Sequence, residues 1–102
     1  MSFEVESQIT GKLVKNSVKI PNKSMQNTLL LKGYGEKSEK DFVLNSFEAL
    51  YLAYIKKLKI SKTNKNVTFD ELMNIYKKSE DDIFTKFLVY RDLRNRGYVT
   101  KN

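Results

Sequence analysis

Residues 45–58 read NSFEALYLAYIKKL, and this stretch decides most of the fold. Its apolar side chains recur at the i, i+3, i+4, i+7 spacing of one helix face. Asn45 is a natural N-cap, and Glu48 three residues later completes a capping box. The apolar face consists of Phe47, Leu50, Tyr51, Tyr54, Ile55 and Leu58. The stretch therefore predicts an amphipathic helix that packs against the rest of the chain.

The sequence after this helix predicts a short basic strand and a second helix. The strand covers residues 58–61, and a loop through residues 64–66 follows it. Thr68 and Glu71 then form another capping-box pair, which predicts the start of a helix. The buried side of that helix is predicted to hold Phe69, Leu72, Met73 and Tyr76.

A third helix is predicted to open at Ser79 or Glu80. Asp81 and Asp82 would then lie in its first turn, where carboxylates face the positive end of the helix dipole. Gly97 suits the left-handed position after the last turn, and residues 98–101 predict a strand. The apolar stripe of this helix is predicted to hold Ile83, Phe84, Phe87, Leu88 and Leu93.

The part of the chain before residue 45 is dominated by β-type signals. Residues 3–31 contain short alternating apolar pieces, and residues 29–31 are a candidate further strand. A turn at residues 33–35 and a charged loop at residues 36–41 follow. The predicted fold class is α+β, with a small mixed or antiparallel sheet packed with about three helices and ending in a helix-strand element.

Composition excludes several classes of protein. With 102 residues the chain suits one domain, and it contains neither Cys nor His. Disulfides and thiolate zinc sites are therefore excluded, and the commonest transition-metal ligand is absent. We expect no metal and no cofactor. No stretch approaches the ~20 apolar residues that span a bilayer, and the N-terminus lacks signal-peptide character, so we expect a cytoplasmic protein without membrane contact.

The charge balance admits two interpretations. The chain carries 19 Lys plus Arg against 12 Asp plus Glu, a net charge of +7. Such a field attracts polyanions, including nucleic acid. A lysine-rich surface also keeps many proteins soluble without binding any polyanion. Charge alone leaves both interpretations open.

Candidate catalytic groups are few. The adjacent carboxylates at the predicted helix starts are explained by capping, and the sequence has no phosphate-binding glycine loop and no serine-histidine pair. Most aromatic residues occupy helix stripes and favour a place in the core over base stacking. Tyr34, Tyr90 and Tyr98 are predicted to be freer. We therefore do not expect this chain to be an enzyme on its own.

The densest cluster of polar groups lies in residues 90–98, which read YRDLRNRGY. Arginine recognises phosphate through two parallel hydrogen bonds, so this cluster predicts a phosphate site. The same arginines can instead pair with neighbouring acids or with the last helix carbonyls, and we favour mixed roles. The candidate RNA-binding residues are Arg91, Arg94, Arg96 and Lys101. The candidate partner-interface residues are Tyr90, Leu93, Tyr98 and Val99.

Three stretches carry a family resemblance. They are residues 46–52 (SFEALYL), residues 67–72 (VTFDEL) and residues 87–99 (FLVYRDLRNRGYV). In this order and spacing, they resemble the archaeal tRNA-splicing endonuclease family, which removes introns from precursor tRNA. Weaker agreement at Gly11 and at residues 34–35 extends the resemblance over most of the chain.

The resemblance implies two regions. Residues 1–79 would form the family's N-terminal domain, and residues 80–102 would supply the helix and strand that begin its catalytic domain. Catalytic members attack the RNA backbone with a ribose 2′-hydroxyl, using a Tyr, a His and a Lys of the C-terminal domain. By resemblance these three residues would lie beyond residue 102.

Two functional hypotheses follow. In the first, the chain is a non-catalytic structural subunit of a heteromeric tRNA-splicing endonuclease, with a catalytic endonuclease subunit and precursor tRNA as partners. We expect a hetero-oligomer in this case, in which a terminal strand at residues 98–101 pairs with another chain. In the alternative, the helices and the terminal strand form a winged-helix-like DNA-binding module that uses Arg91, Arg94 and Arg96. A shortened piece of a longer enzyme is a third possibility.

Overall fold

The computed structural model describes residues 8–38 and 40–97. Within these ranges the chain forms six strands and four helices. In chain order they are β1 (Ile9–Val14), β2 (Ser17–Lys19), α1 (Lys23–Leu31), β3 (Glu36–Lys37), β4 (Phe42–Leu44), α2 (Ser46–Tyr54), β5 (Leu58–Lys62), β6 (Lys65–Val67), α3 (Phe69–Ser79) and α4 (Ile83–Asn95). The predicted α+β class is confirmed, with four helices instead of about three.

The six strands form one mixed sheet in the order β3-β4-β2-β1-β5-β6. β1 and β5 run parallel, whereas every other neighbouring pair is antiparallel. Along β1, buried and exposed side chains alternate strictly, as expected where one sheet face is covered and the other meets solvent. The covered face packs against α2, which contacts both β5 and β2.

The predicted start of α2 is confirmed. The side-chain oxygen of Asn45 accepts the backbone N–H of Glu48 at 2.9 Å, and the Glu48 carboxylate accepts the N–H of Asn45 at 3.0 Å. This reciprocal pair satisfies two of the donors that a helix start leaves without partners. The helix that follows is almost completely buried from residue 47 to residue 52.

The predicted extent of α2 is wrong at its C-terminal end. The helix ends at Tyr54, and Leu58 begins β5, which confirms the strand predicted at residues 58–61. Lys56 has φ 62, and the N–H of Lys57 donates to the carbonyl of Leu52 at 2.9 Å. This is the hydrogen-bond pattern of a Schellman motif, in which the left-handed residue is usually glycine. The stop was not predicted because a lysine occupies the glycine position.

The strand predicted at residues 29–31 is wrong, because these residues form the last turn of α1. Asn22 caps this helix, since its Oδ1 accepts the N–H of Met25 at 3.0 Å. Gly33, with φ 83, ends the helix in the left-handed conformation. A run of three leucines suits a strand or a buried helix, and here the two flanking caps select the helix.

Two predicted loops contain short strands. Within residues 36–41, β3 pairs with β4, and within residues 64–66 the chain already enters β6. The β5–β6 hairpin turns on Thr63 and Asn64, with φ 51 and 64. Positive φ at both central residues matches the twist of a two-residue hairpin. β3 and β6 lie at the two edges of the sheet, and their polar composition led to the prediction of loops in their place.

The capping box of α3 is confirmed, but the predicted start of α4 is wrong. Thr68 Oγ1 accepts the N–H of Glu71 at 3.2 Å. α4 begins at Ile83, so its first turn contains no acid, and the N-cap Asp82 makes no side-chain capping bond. Asp82 instead lies 3.7 Å from the ammonium group of Lys86.

α4 packs on α2 and α3 and contributes Ile83, Phe87 and Tyr90 to the core. The division into residues 1–79 and 80–102 stays a prediction. The strands predicted near residues 3–5 and at residues 98–101 lie outside the described residues. In the described part of the chain, no helix has the length and apolar character needed to cross a membrane.

Candidate functional site

Arg94 is buried, although the sequence places it among the candidate phosphate-binding residues. Its side chain is 4% exposed. Nη1 donates to the carbonyl of Lys32 and Nη2 to the carbonyl of Gly33, both at 2.9 Å. Nε donates to the hydroxyl of Tyr90 at 3.0 Å, and the guanidinium carbon lies 3.7 Å from the centre of the Tyr34 ring. The guanidinium therefore fastens α4 to the end of α1.

Glu48 is the second buried charged residue, and it acts on the same segment. Oε2 accepts the N–H of Gly35 at 3.1 Å, while Oε1 belongs to the capping box. Arg94 thus holds the carbonyls of residues 32 and 33, and Glu48 holds the amide of residue 35. Charged hydrogen bonds of this kind are strong where water is excluded. The charged residues of two of the family-like stretches therefore fix one turn.

Tyr90 is buried inside the domain, which removes it from any surface that a partner could contact. It is 2% exposed and lies between the rings of Phe47 and Tyr51, at centroid distances of 4.7 and 5.7 Å. Tyr34 is 1% exposed. The expectation that Tyr34 and Tyr90 are freer is therefore wrong. Tyr98 lies outside the described residues.

Burial also changes the acidity of these phenols. It raises the pKa of Tyr90 to about 12, against the opposing hydrogen bond and charge of Arg94. The pKa values of Tyr34 and Tyr76 are likewise raised, in both cases chiefly by burial. A phenol that holds its proton this firmly is a poor general base near neutral pH. These three tyrosines therefore suit packing better than proton transfer.

We expect the fold to lose stability in alkali because of these phenols. The unfolded chain releases tyrosine protons near pH 10, whereas folded Tyr90 holds its proton to about pH 12. The stabilisation that each such tyrosine contributes is complete below pH 10. Above that pH the free energy of unfolding falls by roughly 1.4 kcal/mol per pH unit for each such tyrosine. In urea unfolding at pH 9, 10 and 11, the free energy of unfolding should therefore fall less steeply with pH for Tyr90→Phe than for the wild type. Equal slopes would contradict the assignment.

The other candidate residues of α4 and its C-cap are not buried. Arg96 is exposed, and Arg91 and Leu93 are partly exposed. The Arg91 guanidinium is 5.7 Å from the centre of the Tyr54 ring. Arg96 Nη2 lies 3.4 Å from Asp92 Oδ2, in a pair whose side chains are 67% and 59% exposed. An exposed pair of this kind is weak, so a phosphate can compete for the arginine. The assignments of Arg91, Arg96 and Leu93 stay predictions, and Lys101 and Val99 lie outside the described residues.

The structure also shows an apolar surface that the sequence did not reveal. Tyr54 and Phe84 were expected in the core, yet they are 48% and 50% exposed, and Val89 is 54% exposed. One edge of Tyr54 packs on Phe69 and Phe87. Helical periodicity places these residues near the core but does not show where the core ends. We call Tyr54, Phe84 and Val89 the α4 apolar surface.

In residues 8–38 and 40–97, no three acidic side chains come close enough together to hold a metal ion. The prediction of no metal was made from the sequence, and this observation leaves it as a prediction.

Comparison with known proteins matches residues 9–73 to the family model described as tRNA intron endonuclease, N-terminal domain. A tRNA-splicing endonuclease of Pyrococcus abyssi is 37% identical over 71 residues, which cover 70% of this chain and 42% of that protein. One from Methanothermobacter thermautotrophicus is 37% identical, covering 92% and 55%. One from Methanococcus vannielii is 35% identical, covering 99% and 58%. The chain spans about half the length of these curated relatives.

Proposed function

Because the chain belongs to the tRNA intron endonuclease family, we propose that it acts in tRNA splicing in the cytoplasm, as a non-catalytic structural subunit. It would support a separate catalytic chain of the same family, and the hetero-oligomer of the two would excise introns from precursor tRNA. The matched residues 9–73 fall in the family's N-terminal domain. By the resemblance, the catalytic Tyr, His and Lys belong to the other domain.

The chemistry of this chain supports the non-catalytic part of the proposal. Its 102 residues contain no His, which is the commonest general acid and base near neutral pH. The tyrosines buried at the junction of α1, α2 and α4 keep their protons firmly, as argued above for Tyr90. Their raised pKa values oppose the role of a base that deprotonates a ribose hydroxyl.

The observation that carries the proposal is the α4 apolar surface. Phe84 and Val89 lie on the outer side of α4, and each exposes half or more of its side chain. Tyr54 packs on Phe87, and Phe84 lies one turn before Phe87 on α4, so Tyr54 and Phe84 are neighbouring exposed apolar groups of the kind that mark protein-binding sites. Val89 lies about 140° further round the same helix. The Arg91 cation beside Tyr54 gives this surface a polar rim of the kind that surrounds interface cores. The proposed occupant is the catalytic chain.

The test is co-expression with a full-length catalytic family member from the same genome. We expect the two chains to purify together, and intron excision from a precursor tRNA transcript to require both. Phe84→Asp with Val89→Asp should weaken the association about 30-fold or more, because apolar anchors at an interface each contribute ~1–2 kcal/mol.

Leu31→Asp is the matched control, since Leu31 is 85% exposed on α1 and does not belong to the α4 apolar surface. It should leave the association unchanged. Excision by the 102-residue chain alone, full excision by the catalytic chain alone, or equal loss in the control would overturn the proposal.

The winged-helix alternative loses its main support. It required Arg91, Arg94 and Arg96 on one exposed recognition helix. Arg94 is buried and its three donor groups bind protein oxygens, so the arginine surface that would read DNA is not formed.

A further inference from the structure

Lysines and acids are segregated along this chain. Residues 7–35 contain five lysines and no Asp or Glu, and residues 49–69 again contain five lysines and no Asp or Glu. All 12 acidic residues lie in the remaining segments. A lysine-rich surface that serves only solubility usually mixes both signs of charge. Two acid-free segments therefore indicate a strongly positive region wherever the fold brings them together.

The sheet brings the two segments side by side. The first supplies β1 and β2, the second supplies β5 and β6, and β1 pairs with β5 in parallel. In this register Thr10 lies beside Lys59, and Lys12 lies beside Ser61, so Lys12 and Lys59 are diagonal neighbours. Because the strands are parallel, the β1–β2 turn and the β5–β6 turn lie at the same end of the sheet. Three further lysines flank this end, namely Lys15, Lys62 and Lys65.

Lys12 and Lys59 lie on the open sheet face. Both are exposed, and they alternate along their strands with buried Leu13, Leu58 and Ile60. Among the described residues neither lysine forms an ion pair, unlike Lys19, whose ammonium group lies 3.1 Å from the Asp41 carboxylate. Unneutralised charges on one surface sum into a local positive potential that attracts polyanions. We call this surface, centred on Lys12 and Lys59, the basic sheet face.

We infer that the basic sheet face binds the phosphodiester backbone of folded RNA. Protein interfaces are depleted in lysine, whereas phosphate contacts are made by Lys and Arg with hydroxyl and amide neighbours. Ser61 and Asn66 supply such neighbours on the same face, whereas the hydroxyl of Thr10 donates to Met25 Sδ at 3.5 Å. The described strands that form this face carry no exposed aromatic ring, which favours backbone contact over base stacking. The choice of RNA as the polyanion rests on the proposed function.

The experiment measures binding of the 102-residue chain to a labelled precursor tRNA transcript at KCl concentrations from 50 to 200 mM. The double substitution Lys12→Gln with Lys59→Gln should raise the Kd roughly tenfold and flatten the slope of log K against log salt by about 1.5, since each lost phosphate contact removes ~0.7–0.9 from that slope. Both side chains are exposed, so the thermal unfolding temperature should stay at the wild-type value.

The matched control is Lys77→Gln with Lys78→Gln, which removes the same charge from the last turn of α3. It should change the Kd less than twofold. The inference is overturned if the wild-type chain fails to bind RNA at 50 mM KCl, or if the control weakens binding as much as the double substitution. It is also overturned if Lys12→Gln with Lys59→Gln disturbs only association with the catalytic chain, because an acidic protein surface would then be the ligand.

These outcomes are separable from the test of the proposed function. Binding to RNA by this chain alone does not depend on a second subunit or on cleavage. A chain that binds RNA through Lys12 and Lys59 but never joins a catalytic partner would retain the inference and overturn the subunit role. A chain that supports excision without binding RNA itself would retain the subunit role and overturn the inference.

Discussion

Replacing Arg94 by methionine is expected to lower the free energy of unfolding by about 3–5 kcal/mol, the range for removing one partner from a buried charged network. The substitution keeps most of the side-chain volume but removes every donor. The partly buried carbonyls of Lys32 and Gly33 and the buried hydroxyl of Tyr90 then lose this donor. Each buried acceptor left without a donor costs ~1–3 kcal/mol. The stacking of the guanidinium on Tyr34 is lost as well.

Urea unfolding followed by circular dichroism measures this loss. Arg96→Met is the control, because its ion pair with Asp92 is exposed and should contribute under ~1 kcal/mol. Arg94→Lys separates charge from geometry: it keeps the cation but cannot donate to two carbonyls in a planar fork. We expect Arg94→Lys to remain destabilised. A loss below ~1 kcal/mol for Arg94→Met, with weaker RNA binding at full stability, would instead return Arg94 to the phosphate-binding residues.

The helix starts were the most predictable parts of the fold. Asn45 with Glu48 and Thr68 with Glu71 satisfy helix donors within three residues of each other, so the sequence contains both halves of each interaction. The helix end at Lys56 was not predictable, because the left-handed position carries no glycine. Such local hydrogen bonds are visible in a sequence because each joins a specific side-chain type to a backbone N–H three residues away.

The candidate site was less predictable for a related reason. The partners of Arg94 are backbone carbonyls more than 60 residues away in the chain. A carbonyl occurs at every residue and leaves no pattern in the sequence. The sequence therefore predicted mixed roles for the arginines of residues 90–98 but not which of them is buried. Likewise, the pattern of the strands predicted a mixed or antiparallel sheet but not which strands are neighbours. The pairing of β1 with β5, which joins the two lysine-rich segments, was therefore not predicted.

Gly35→Ala is expected to lower the free energy of unfolding by about 3 kcal/mol or more, from left-handed strain and overpacking together. Gly35 has φ 82, a conformation that costs an L-residue ~1–2 kcal/mol. A Cβ at this position would also clash with the ring of Phe42, which is 1% exposed and cannot move into solvent. The amide of Gly35 donates to buried Glu48, so a shift of the backbone would weaken that bond too.

A double-mutant cycle with Phe42→Leu separates the two causes. Leucine lacks the ring atoms that the new Cβ would meet, so Gly35→Ala should cost less in the Phe42→Leu background, with a coupling energy of about 1–2 kcal/mol. The penalty that remains in the double variant is the strain of the left-handed backbone. Strict additivity of the two substitutions would contradict the clash. A cost near zero in the wild-type background would contradict both causes, and would mean that Glu48 and Arg94 do not hold residues 32–35 in one conformation.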